Sequence, residues 1–194
     1  MIKKSLFILL LLGFISISSN AAEDIKDIQV DGISIGDKVL DHLSKSEYKQ
    51  NIKEKFYKDK NVITVSKYNT KNYDRIQLTY FENDKDKKIY AIAGVIMFPT
   101  DIQKCLDKKE KILENILEVT NKNKSEVRNG VDPLHFDTIG KSKMYYSFIR
   151  LDDGGITQIS CDDWSDKITK KKDWIDSLKV SIFSKESISF MIAP

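Results

Sequence analysis

Cysteine, histidine, proline and arginine are all scarce in this chain, and each shortage closes off a class of explanation. Two cysteines and two histidines occur among 194 residues. A zinc site would need both His42 and His135 plus acids or thiols, and no metal-ligand spacing joins them. Proline occurs at positions 99, 133 and 194, so no proline-rich linker divides the chain. Arginine is confined to Arg75, Arg128 and Arg150, and the 32 basic residues are nearly balanced by 29 acids. That balance argues against a nucleic-acid binder, which needs a concentrated basic face. Phosphate loops and dinucleotide fingerprints are missing, so no cofactor is expected.

Long apolar runs are missing too. Residues 6–17 are apolar apart from Gly13 and Ser16, which is short of the about 20 residues a membrane-spanning helix needs. Lys3 and Lys4 precede the run, and Ser19, Asn20 and Ala21 follow it. A basic start, a short apolar core and small residues at a cleavage site read as a secretory signal peptide over 1–21. Its removal leaves no membrane span and takes the net charge of +3 down by two. No cysteine stands directly after the cleavage site, so a lipoprotein anchor is excluded. Residues 22–194 then fit one domain, periplasmic or secreted.

The organising stretch of that domain is 100–121. Ile102, Cys105, Leu106, Ile112, Leu113, Ile116 and Leu117 recur at helical spacing. Thr100 is a candidate cap, Gln103 lies three residues on, and Lys109 can snorkel at the edge of the stripe. Strand patterns surround this helix. Residues 62–68 and 73–82 alternate, and 88–98 is apolar on both faces. Pro133 makes 131–137 read as irregular. Strands are expected again at 143–151, 156–162 and 178–183, the first two joined by the hairpin signal Asp152-Asp-Gly-Gly155. Shorter pieces complete the pattern: a strand at 28–30, helices at 35–43, 44–57 and 185–192, and a loop or single helical turn at 164–172. Tight connections imply antiparallel pairing. The expected fold is α+β, an antiparallel sheet of about six strands covered by one long helix.

Three constellations carry potential chemistry. Gly32-Ile-Ser-Ile-Gly36 matches the pattern of a nucleophile elbow, with Asp132 and His135 as downstream partners. An elbow needs parallel strands, however, and Ser34 is equally explained as a helix cap with Asp37 three residues on. Asp152, Asp153, Asp162 and Asp163 form two acid pairs facing each other across a predicted hairpin. A calcium site or a hydrolytic carboxylate pair is the sharp reading, and turn chemistry is the plain one. Cys105 and Cys161 are expected to form one disulfide between the helix and the sheet, because exported thiols oxidise and only one intramolecular pairing exists. Two separate buried thiols, or a cross-linked dimer, are its rivals.

The segment Asp31-Gly-Ile-Ser-Ile-Gly-Asp37, the corner Asp163-Trp-Ser165 and the closing Asp176-Ser-Leu-Lys-Val180 resemble those of small exported bacterial proteins of unknown function. That resemblance brings no site residues with it. The functional expectation is a non-enzymatic module that binds an envelope protein or a small ligand. The alternatives are a small hydrolase using Ser34 or the four aspartates, and an inhibitor of an envelope enzyme presenting 121–138 as a rigid loop.

Overall fold

A computed structural model describes residues 25–52, 61–99, 101–135, 137–138 and 141–191. The signal peptide, the Thr100 cap and the end of the second helix lie outside these residues. Seven strands form one antiparallel sheet: β1 (Val62–Tyr68), β2 (Arg75–Phe81), β3 (Ala91–Met97), β4 (Arg128–Pro133), β5 (Lys143–Arg150), β6 (Ile156–Asp163) and β7 (Ser177–Phe183). Their order across the sheet is β1-β2-β3-β7-β6-β5-β4. Two three-stranded meanders thus lie side by side, and the last strand joins them.

Among the described residues five α-helices accompany the sheet: α1 (Val39–His42), α2 (Lys45–Asn51), α3 (Ile102–Val119), α4 (Asp166–Lys172) and α5 (Lys185–Met191). None of the described helices is long and apolar enough to cross a membrane. Asp101 caps α3, its carboxylate accepting from the Lys104 N–H at 3.1 Å. Ser44 begins α2 with a full capping box: Glu47 N–H donates to its hydroxyl, and its own N–H donates to the Glu47 carboxylate.

One face of the sheet is the main core. Ile63 and Val65 of β1, Ile76, Leu78 and Tyr80 of β2, and Leu178, Val180 and Ile182 of β7 are buried together there. Cys105, Leu113, Ile116 and Leu117 of α3 pack on this face. A single helix cannot cover it: a helix is about 10–12 Å across with its side chains, whereas seven strands about 4.8 Å apart span roughly 29 Å. α3 lies over β6 and β7. The segment before β1 joins this core with Ile25, Ile28, Val30, Ile33, Ile35, Val39 and Leu43. Its main chain bonds to the approach to β3, Gly36 N–H to Ile89 O and Val39 N–H to Lys87 O. Gly94 sits in regular register on β3, and glycine is needed there because the Tyr73 ring occupies the space a Cβ would take. Burial pushes the Tyr73 hydroxyl up to about 12, with Asp31 adding to the shift.

Three expectations change. Residues 28–30 make no strand; Val30 forms only an isolated bridge with Ile33. Ser34 does not cap a helix. It sits in a turn in which Asp37 accepts from its N–H at 2.9 Å, and α1 starts later, at Val39, without a side-chain cap. The stretch 121–138 is not one loop but includes a 3-10 turn (Lys124–Glu126) and β4. Pro133 is tolerated because it closes an edge strand, where a missing N–H breaks no ladder.

The two cysteines form the disulfide, with Cα atoms 6.0 Å apart and both residues fully buried. It ties α3 to β6 on the core face.

Candidate functional site

The opposite face of the sheet carries the side chains that alternate with the core. In β5 these are Met144, Tyr146 and Phe148; in β6, Ile156, Gln158, Ser160 and Asp162; in β7, Phe183, Ser181 and Lys179. A cleft of about 270 Å³ opens there, lined by Asp132, Met144, Tyr146, Phe148, Ile156, Gln158 and Phe183, with Ile188 of α5 as a wall. Tyr146 and Phe148 lie two residues apart on one strand and stack with centroids 6.5 Å apart. Gly130 of β4 makes this possible, since a Cβ there would run into the Tyr146 phenol. The Arg128 guanidinium stands 5.6 Å from the Phe148 ring centre, a cation–π contact at the rim.

Beside the cleft, Lys179 donates to Asp162 Oδ2 at 2.5 Å. The Asp162 side chain is 2% exposed and that of Lys179 35%. Among the described residues the other Asp162 oxygen has no hydrogen-bond partner, nor has Thr157 Oγ1 or Arg75 Nε. Asp163 and Asp176 lie at the same end of the sheet. Burial holds both carboxyls above the usual carboxylate range. Lys143 pulls Asp163 partly back, as the Trp164 N–H bond does for Asp176, while Asp163 and Asp162 push Asp176 up. An acid whose folded value is raised costs stability at higher pH, and the cost disappears as pH falls through that value toward the unfolded one. Asp163→Asn is therefore expected to raise the melting temperature at pH 7. The gain should shrink toward zero as the pH is lowered to about 4. Thermal melts across that range check this; an unchanged or lower melting temperature at pH 7 would contradict it.

The residues picked out from sequence fall in several places. The acid pairs do not face each other: Asp152 and Asp153 sit at the hairpin tip, whereas Asp162 and Asp163 lie at the far end of β6, opposite Met144 and Lys143. Alternation along β6 and the length of the hairpin arms separate them. Asp152 pairs with Lys122 at 2.6 Å, and Asp153 accepts from the N–H groups of Gly155 and Ile25. Among the described residues no group of three or more His, Cys, Asp or Glu could hold a metal ion.

Ser34 is 8% exposed. Its neighbour in space is His42, whose Nε2 donates to Asp37 Oδ2 at 2.9 Å. The carboxylate here stands between the serine N–H and the imidazole, whereas a catalytic triad places the imidazole between acid and hydroxyl. His135 is exposed. Asp137 is buried and accepts from the Ser142 N–H, the Ser142 hydroxyl and the Ser165 hydroxyl, which pins the corner after β6 to the approach to β5.

The cleft itself was absent from the sequence reading. A signal for it exists in β5, where Met144, Tyr146 and Phe148 alternate with Tyr145, Ser147 and Ile149. A strand with large apolar residues on both faces, next to the edge of a sheet, implies a second apolar surface. Compared with protein-family models, curated proteins and solved structures, the chain matches none of them.

Proposed function

We propose that this protein is an exported, periplasmic or secreted, non-enzymatic module that binds a small apolar molecule in the cleft between α5 and strands β4 to β7. The cleft carries the reading. Its lining is mostly apolar and aromatic with a few polar groups, the composition typical of small-molecule sites. Its volume of about 270 Å³ suits a small ligand, since typical sites measure about 300–1,000 Å³. Gln158 pairs with Phe148 across the strands and supplies an amide beside the aromatic wall. The N-terminal basic, apolar and small-residue pattern and the buried disulfide support export.

A fluorescence titration with phenylnaphthylamine, a neutral apolar probe, tests the site. One saturable binding event is expected. Phe148→Asp should weaken it on the order of tenfold or more by placing a charge in an apolar wall. Ile175→Asp, at an exposed apolar residue outside the cleft lining, should leave it unchanged. Absence of saturable binding, or equal binding by a folded Phe148→Asp variant, would sink the proposal.

A further inference from the structure

β4 is an edge of the sheet, and its outer side pairs with no described residue. Its residues are exposed except Gly130, which is half-buried, and Val131, 55% exposed, is the most exposed of the four large apolar side chains found at the surface among the described residues. An open groove of about 530 Å³ beside it, lined on the helix side by Leu106, Lys109 and Glu110, leaves the edge unroofed. Unprotected edges of this kind are templates for another strand.

The hydrogen-bond parity of the edge is fixed. Leu134 N–H donates to Ser142 O at 3.0 Å and continues the β4–β5 ladder. Even-numbered residues of β4 therefore direct their main-chain groups at β5. Asn129, Val131 and Pro133 direct theirs outward.

We infer that a second copy of this chain pairs with this edge, β4 antiparallel to β4, about a twofold axis at Gly130. In this register Asn129 exchanges both main-chain hydrogen bonds with Val131 of the second copy, and the reverse pair does the same. Pro133, which lacks the N–H, falls outside the paired segment. Arg128 then stands opposite Asp132 of the second copy twice over, in the non-hydrogen-bonded positions where side chains approach most closely. Main-chain parity permits registers shifted by two residues, but those break both charge pairs. Arg128 and Asp132 are exposed and lie on one face of β4, and neither has an ionic partner among the described residues. The strand is thus complementary to itself in charge, as an isologous interface requires. Asp132 also lines the cleft and Arg128 stands at its rim, so the inference is read from the mass of the assembly and not from probe binding.

Charge reversal provides the test. Sedimentation of the purified chain over a concentration series should show the mass doubling. Arg128→Asp and Asp132→Arg should each stay monomeric, since each places like charges opposite one another. An equimolar mixture of the two variants should again give a dimer, with one copy of each, because the introduced acid meets arginine and the introduced arginine meets aspartate. Recovery in the mixture also proves that both variants are folded. A parent chain that is monomeric throughout, single variants that dimerise like the parent, or a mixture that stays monomeric would each overturn the inference.

Discussion

Unfolding in denaturant with a reductant present is expected to show the chain about 4 kcal/mol less stable than without it. The Cys105–Cys161 bond spans 56 residues, and a closed loop of that length removes about that much chain entropy from the unfolded state. The loss is a large share of the about 5–15 kcal/mol that holds a typical domain. For a chain of this size it corresponds to a fall of about 8–16 °C in melting temperature. The comparison uses one sequence in two redox states, so no cavity from a cysteine substitution confuses it. The loop held by the bond runs from α3 through β4 and β5 to β6, so the half of the sheet beyond β7 should loosen first. Coincident unfolding curves with and without reductant would show that the bond contributes nothing to the fold.

The second large effect is expected at Lys179. Lys179→Met leaves the Asp162 carboxylate buried with neither oxygen paired. Breaking a buried ion pair from one side costs about 3–5 kcal/mol. Lys179 keeps a third of its side chain in solvent, so screening brings the expectation down to about 2–3 kcal/mol. Adding Asp162→Asn should return more than half of that, because the stranded charge is the cause of the loss. Equilibrium unfolding of the two single variants and the double variant completes a cycle. A Lys179→Met variant within about 0.5 kcal/mol of the parent would mean that water already screens the pair.

The strands with alternating or doubly apolar patterns were readable to within a few residues. β2 shows why. Ile76, Leu78 and Tyr80 alternate with Arg75, Gln77 and Thr79, and the first set is buried in the core. β4 was not readable, because Arg128-Asn-Gly-Val-Asp-Pro133 has one apolar residue and ends in proline. Its strand conformation comes from pairing with β5, a partner that local pattern does not reveal. Ser34 misled for a related reason. The Ser34–Asp37 bond is real, but the chain leaves that turn to bond with 87–89 and delays the helix to Val39. The cleft was hidden because it draws on four strands and α5, which only the β1-β2-β3-β7-β6-β5-β4 order brings together.

That order also sets a schedule for folding. β7 lies between β3 and β6 and pairs with both over nearly its full length. As the chain emerges from its N-terminus, the first meander waits with the inner edge of β3 open, and the second waits with that of β6. Neither edge finds its partner until Ser177–Phe183 arrive. Contacts this distant in sequence are slow to form, because loop closure must precede any gain from pairing. The two meanders therefore stay unlocked from one another until that strand is made.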